Sequence, residues 1–421
     1  MSQGFTKGTP IDTDPTLSLN SDIVVPSQSA VKTYVDTGLA TKVPTTRTLT
    51  INGTAQDLSA DRSWTVTGAS GDLPEISVST ANAREDNYAP AGWPNSLNVV
   101  KVIRITSTNT NYMMSIGGLS NPSAGRIVTI YNSSSSNLII LENLSTSSTA
   151  ANRFRMPGNM AYFLLPARSV TFIYDGTYWI QMSASNVSGL DQFDDMTAGG
   201  SAIVQTGSTG MFGILGSGTG AGIRPDTVSN DGVGEVAFST GSTATGFAVI
   251  SSQIRRNGGI SSFGGNTATN TVPYLVVGRV LMPALATGAQ DFRVHFGMNG
   301  TSSLPTNAPG VGYLWVYQGS TSTFWDVASS NVATTTTVTT SLAVTAGTYY
   351  WLGVYKPGGA NIRDAVYFYS TNGVIYTVAS KFVGTTGVYG GSPTLVLGST
   401  VGVSPKALYC DFMGTSFNWV R

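Results

Sequence analysis

Residues 365–378 read AVYFYSTNGVIYTV, and this stretch decides the fold class. YFYST and VIYTV are runs of β-branched and aromatic residues, the types that fit a pleated, half-buried surface. Asn372-Gly373 between them is the strongest short-range signal for a tight hairpin, because both central positions of that turn need positive φ. The spacing therefore predicts two short antiparallel strands, Ala365–Ser370 and Val374–Val378.

The same grammar continues outward on both sides. Strands are expected at Val236–Ser239, Gly246–Ser251, Leu275–Met282, Phe292–Gly297, Gly312–Tyr317, Thr323–Val327, Thr335–Val344, Tyr349–Tyr355 and Leu408–Phe412. Phe292, Val294 and Phe296 alternate with Arg293 and His295, the period of a strand with one face in a core. A dense succession of short strands over residues 223–421 predicts a jelly-roll or lectin-like sandwich. Further upstream, seven strands are expected in residues 73–185: Val99–Thr106, Tyr112–Ile116, Arg126–Asn132, Asn137–Glu142, Ala161–Leu165, Ser169–Tyr174 and Tyr178–Met182. Asp175-Gly176 marks a hairpin there, and the whole reads as a β-sandwich spacer or knob. Between the two, residues 186–222 are rich in Gly, Ser and Thr and read as a linker or collar.

The N-terminal third is slimmer. Residues 1–26 lack periodicity and read as an extended segment. Ser27 follows Pro26 and suits a helix N-cap, and Val31, Tyr34, Val35, Gly38 and Leu39 fall at helical spacing until Pro44. A helix of about 15 residues is marginal alone in water, so its apolar stripe needs a cover. Thr48–Ile51 and Ser63–Val66 are expected as short strands, with a turn at Asn52-Gly53; two such strands do not fold by themselves. The simplest missing partner for residues 27–72 is the same segment from sister copies. The trimerising residues are then Val31, Tyr34, Val35, Leu39, Leu49, Ile51 and Trp64.

Composition agrees with a mainly β protein. The chain of 421 residues is only 10% charged but 41% hydrophobic, so it has enough apolar surface for real cores. Twenty-two basic residues balance 22 acidic ones, leaving no excess positive charge to neutralise phosphates, so nucleic acid is not an expected partner. The N-terminus MSQGFTKGTP lacks an apolar signal region, and no apolar run reaches the ~20 residues that span a bilayer. The single cysteine, Cys410, permits no intrachain disulfide.

Three stretches carry a resemblance. VPSQSAVKTYVDTGLATKV followed by TLTINGTAQDLSADRSWTV resembles a helix-then-strand module near the N-termini of bacteriophage fibres, where it commonly forms a threefold shaft. DNYAPAGWP, GRIVTIYN, LIILEN, SSTAANRF and SVTFIYDGTYWIQM resemble a β domain of phage tail and fibre proteins. VGRVLMPALATGAQDFRVHFG, STFWDV, SLAVTAGTYYWLGVYK, AVYFYS and NGVIYTVAS are similar to concanavalin-A-like, lectin-type jelly rolls at fibre tips. The resemblance implies a homotrimer located in the virion and assembled in the host bacterial cytoplasm. Its N-terminus would attach to the phage tail, baseplate or another virion protein. Its C-terminal domain would bind a host surface glycan or outer-membrane component.

Catalytic chemistry is thin in this sequence. His295 is the one histidine, and its place on the polar face of a strand reads first as structural or superficial. No enzyme, cofactor or metal is expected. A polysaccharide-degrading fibre is the enzymatic alternative; it needs two carboxyl groups flanking one bond, and Asp326 with Asp364 is the pair to test. Asp191, Asp194 and Asp195 read as a turn or linker cluster before a Ca²⁺ site, and Asn230-Asp231-Gly232 as a turn. A purely structural head-fibre or baseplate decoration is the other alternative. Receptor contacts, if present, belong on loops with aromatic platforms and neutral hydrogen-bonding groups. Three loops qualify: Arg255, Arg256, Asn257, Phe263 and Asn266 in the first, Lys356, Asn361, Arg363 and Asp364 in the second, and Tyr389 in the third. Trp315, Trp325, Tyr350 and Trp351 read as core or sheet-face aromatics.

Overall fold

The computed structural model describes residues 11–13, 25–42, 48–51, 54–57, 75–93, 101–183, 192–194, 212–217, 219, 221–225, 236–252, 273–299, 312–330, 335–358, 364–383, 392–402 and 404–417. The chain divides into two compact units, residues 1–72 and 73–421.

In the first unit a two-residue strand Ile11–Asp12 pairs in parallel with Val25–Pro26. Helix α1 follows at Gln28–Lys42. Ser27 caps it: its Oγ accepts from the Ala30 N–H at 3.0 Å, as an N-cap residue does. Only Ala30 of the expected stripe region is buried, whereas Val31, Tyr34, Val35 and Leu39 are 40%, 54%, 45% and 63% exposed. The hairpin pairs Thr48–Ile51 with Thr54–Asp57, and Ile51 stands opposite Thr54. The described partner of Thr48–Ile51 is Thr54–Asp57; Ser63–Val66 lies outside the described residues.

The second unit is built of four stacked sheets. The first two form a sandwich from residues 75–183. Its six-stranded sheet runs in the order Phe154–Arg155, Trp179–Ser183, Ser169–Tyr174, Ile127–Asn132, Val102–Ser107, Glu75–Thr80. Its four-stranded sheet runs Tyr162–Leu164, Leu138–Leu141, Met113–Ile116, Arg84–Glu85. All seven expected strands are present here, but their connection is unlike a chain of hairpins. From Glu75 to Leu141 the backbone alternates between the two sheets, and each strand lies parallel to the one before it in its sheet; Tyr162–Leu164, Ser169–Tyr174 and Trp179–Ser183 then add antiparallel pairs. Ile76, Ile103 and Ile130 stand side by side in this ladder, each 27 residues after the last. The core between the sheets holds Ile103, Ile130, Phe172 and Trp179 from one side and Met114, Ile139 and Leu164 from the other.

The C-terminal jelly-roll-type sandwich is antiparallel throughout. Its eight-stranded sheet runs Ala221–Pro225, Val236–Thr240, Ala407–Phe417, Tyr274–Leu281, Tyr349–Lys356, Ala365–Ser370, Thr377–Phe382, with Gln192–Asp194 pairing against Ala407–Phe417. Its seven-stranded sheet runs Phe212–Ser217, Phe247–Ser252, Ser392–Val401, Asp291–Asn299, Gly312–Tyr317, Phe324–Ser330, Thr335–Ala343. Within the stretch read as a linker, 186–222, residues 192–194, 212–217 and 221–222 are thus strand. In the opening hairpin the second strand begins at Thr377 rather than Val374. Asn372 Oδ1 accepts from the N–H groups of Val374 and Ile375, and Gly373 takes φ +71°, so residues 371–376 form a longer turn.

Phe292, Val294, Phe296, Trp315 and Trp325 face Val276, Val280, Leu352, Val354 and Tyr367 across the core of this sandwich. The Trp315 indole N–H donates to the Gly353 carbonyl at 2.9 Å, which satisfies its polar atom in an otherwise apolar layer. The two sandwiches then share a third core. Met113, Leu138, Ile140, Phe163 and Leu165 on the outer face of the four-stranded sheet pack against Leu275, Val277, Tyr355, Val366, Phe368 and Tyr376 on the outer face of the eight-stranded one. This explains why Leu138–Leu141 is a continuous apolar run: the strand is buried on both faces.

Candidate functional site

With one sheet of the C-terminal sandwich covered by its neighbour, the seven-stranded sheet supplies the remaining outer face. Strand alternation turns Phe292, Val294 and Phe296 inward, so Arg293 and His295 turn outward. Register then builds one row across the sheet. Val249 pairs with Val396, Val396 with His295, His295 with Val316, Val316 with Asp326, and Asp326 with Thr339. Directly paired residues share a face, so all six side chains lie on the side of the sheet turned away from the sandwich core; Val249, Val396, His295, Val316 and Asp326 are buried there and only Thr339 is exposed.

The row grades from buried to open. His295 is 2% and Asp326 4% exposed, while Thr339, on the edge strand Thr335–Ala343, is exposed. Two strand spacings put the backbones of His295 and Asp326 about 9.5 Å apart, with Val316 between them. Phe324 precedes Asp326 by two residues on the same face and leaves 38% of its surface exposed.

Three polar atoms of this face have no hydrogen-bond partner among the described residues: Arg293 Nε, His295 Nε2 and Asp326 Oδ1. Burial, with the Arg293 charge adding to it, pulls the His295 imidazole down to about 4, so the ring is neutral at pH 7. Burial pushes the Asp326 carboxyl up, and the Thr339 hydroxyl, which donates to it, offsets part of that rise. A buried polar atom left unpaired costs about 1–3 kcal/mol; the cores hold such atoms too, at Trp325 Nε1 and the Tyr88 and Tyr376 hydroxyls, and what sets this face apart is that an imidazole and a carboxyl carry them. Capacity of this kind suits a ligand whose hydroxyls both donate and accept.

Other residues singled out from the sequence fall elsewhere. Asp364 is 8% exposed and belongs to the contact between the two sandwiches. Lys381 Nζ lies 3.7 Å from its Oδ2, donates to the Thr110 carbonyl at 2.7 Å, and sits 4.3 Å above the Tyr112 ring. Asp364 and Asp326 therefore occupy opposite outer faces of one sandwich. Face-to-face sheets are about 10 Å apart, beyond the separation at which two carboxyl groups flank a single bond. That pair is not a hydrolytic centre. Lys356 is 4% exposed, and desolvation lowers its ammonium to about 8; it is a buried group rather than a loop contact. Arg255, Arg256, Asn257, Phe263, Asn266, Asn361, Arg363, Tyr389 and Trp64 lie outside the described residues, as do Asp191, Asp195 and Asn230-Asp231-Gly232. Side chains of Leu49 and Ile51 are likewise not described, although their strand is.

Of the four named aromatics, Trp315, Trp325 and Tyr350 are core, whereas Trp351 is half-buried on the outer face of the eight-stranded sheet, with the Arg279 guanidinium 4.8 Å from its ring centroid. Among the described residues no group of three His, Cys, Asp or Glu side chains is placed to hold a metal ion. No described helix is long and apolar enough to cross a membrane.

No family model matches this chain. No curated protein matches it either. Solved structures align only weakly. A receptor-binding domain gives a TM-score of 0.31 at 4% identity over 48% of this chain, and the aligned part spans 42% of that protein. An endo-1,3-β-glucanase from Streptomyces sioyaensis gives 0.35 at 13% identity, covering 56% of this chain and 99% of that one. A carbohydrate esterase from the Shiga toxin-encoding bacteriophage phi24B gives 0.31 at 14% identity, covering 49% and 91%. Scores in this range transfer neither a fold nor an activity to this chain.

Proposed function

We propose that this chain is a non-enzymatic subunit of a homotrimeric bacteriophage fibre, attached to the virion through its N-terminus and recognising a glycan of the host surface through its C-terminal sandwich. The observation that carries the recognition half is Asp326. Its Oδ1 is buried and has no partner among the described residues, next to the exposed threonine strand and two residues along its own strand from the exposed Phe324. A sugar offers what this arrangement lacks: hydroxyl donors for the carboxylate and an apolar ring face for the phenyl group.

Assembly is supported by α1. Val31, Tyr34, Val35 and Leu39 form one exposed apolar stripe on a helix only 15 residues long, a surface that sister helices would bury. Three copies would multiply a modest single-site affinity by effective concentration.

The test uses the full chain. Sedimentation should give a trimer at micromolar concentration, and Val35→Asp with Leu39→Asp should give a monomer. On an array of bacterial surface polysaccharides the chain should bind at least one, and Asp326→Ala or Phe324→Ala should abolish that signal. A stable wild-type monomer overturns the assembly half. Silence across the array and on intact bacteria overturns the recognition half, and release of new reducing ends from a bound polysaccharide overturns the non-enzymatic one.

A further inference from the structure

The strand Thr335–Ala343 ends the seven-stranded sheet beside Asp326. Its sequence, TTTVTTSLA, holds no charged residue and no proline, the usual means of blunting an edge. Thr335 pairs with Ser330, Thr337 with Ala328 and Thr339 with Asp326, so these three threonines share the outer face, and all three are exposed. Alternate residues of a strand are about 7 Å apart, which makes a row of hydroxyls about 14 Å long.

We infer, resting on the reading of this face as a glycan site, that its ligand is an extended uncharged oligosaccharide lying along Thr335–Thr339, and not a single terminal sugar. A hydroxyl repeated along a straight strand is matched by a chain that repeats its own hydroxyls. The buried Asp326 oxygen accepts a proton donor from the ligand, and it repels an acidic sugar placed at the same point. A peptide strand adding to this edge would use backbone groups, leaving Asp326 Oδ1 and the Phe324 ring unengaged. The chemistry on the face therefore favours a saccharide over a protein strand.

The probe is the neutral polysaccharide that the full chain captures on the array, hydrolysed and sorted by length, with calorimetric titration of each fraction. Affinity should rise by at least about tenfold from the monosaccharide to the fragments that span the row, and then level off. Thr335→Val with Thr337→Val should remove that gain while leaving monosaccharide affinity within about twofold. Equal affinity for the monosaccharide and the long fragments overturns the extended site and leaves glycan recognition standing. Capture of acidic polysaccharides alone overturns the uncharged class. Failure to capture any polysaccharide overturns the recognition reading itself. Concentration-dependent association of the full chain that Thr337→Lys abolishes, without change in sugar affinity, identifies the strand as a contact between copies and overturns the proposal.

Discussion

The Tyr355 phenol donates a 2.7 Å hydrogen bond to the main-chain carbonyl of Ser136, a residue 219 positions earlier in the chain. It is one polar stitch in the apolar contact where the coiled sandwich and the jelly-roll-type sandwich share a core. That contact makes the two sandwiches interdependent, which sets the first prediction.

Calorimetry of the full chain should show both sandwiches melting in one transition. Phe163→Ala or Phe368→Ala, each emptying a fully buried site in the shared core, should lower its stability by about 3–5 kcal/mol. Tyr355→Phe should cost about 0.5–1.5 kcal/mol, the usual net worth of one hydrogen bond. Two separable transitions, with Phe368→Ala moving only one, would show that the contact carries little energy.

A second prediction concerns Arg84 and Glu142. Glu142 is fully buried, and its two carboxylate oxygens accept from Arg84 Nη1 and Nη2 at 2.5 and 2.6 Å. Arg84 also donates to Asp86 and Ser145, so one guanidinium satisfies the polar heart of the first sandwich. Arg84→Ala leaves a buried carboxylate uncompensated and should cost about 3–5 kcal/mol, measured by denaturant titration at pH 7. Arg84→Ala with Glu142→Leu should recover a large part of that loss, because the charge pair is removed together.

Much of this architecture can be read from period-two alternation. The strand Ile127–Asn132, IVTIYN, buries alternate residues as its pattern requires, and Leu138–Leu141 announces burial on both faces by having no polar residue. The parallel winding is not readable in the same way. Ile76, Ile103 and Ile130 recur at a fixed offset, but Glu75–Thr80, Val102–Ser107 and Ile127–Asn132 share only that apolar parity, so no repeat emerges from the letters. The site was legible in pieces. His295 falls on the polar face by alternation, and Asp326 stands out as an acid inside a strand pattern. Which sheet each strand joins depends on contacts between distant residues, and that is why Asp326 and Asp364 look like possible partners in sequence and lie on opposite faces in space. Most of the loop candidates lie outside the described residues, and the face described is built on strands.

A third prediction follows from the Asp326 environment. Its folded pKa is raised by burial, so the stability it contributes is present below its ordinary value of 3.8 and is lost as pH rises through the folded value. At pH 7 the ionised group is a burden. Asp326→Asn should therefore stabilise the fold at pH 7 by about 1 kcal/mol while weakening glycan binding, the exchange expected where a site is kept strained for function. A variant that loses stability and keeps its affinity would count Asp326 as structural.

His295 gives the opposite sign and the last prediction. Its folded pKa, about 4, lies below the ordinary 6.5, because charging the buried imidazole is costly. The unfolded chain therefore binds a proton that the folded chain refuses between those two values. Stability is fully present above pH 6.5 and falls as pH drops toward 4. The interval of about 2.5 pH units corresponds to about 3 kcal/mol at most. Urea titrations at pH 7 and pH 4.5 should record most of that difference in the wild type. His295→Phe, which fills a similar volume without a titrating group, should flatten the dependence by the same amount. Asp326, whose raised pKa opposes the trend, should steepen it when changed to Asn. A wild-type profile that is level between pH 7 and pH 4.5, in a chain whose Asp326→Asn variant is level too, would mean that His295 is solvated in the folded protein and that the outer face of the seven-stranded sheet is open to water along its whole row.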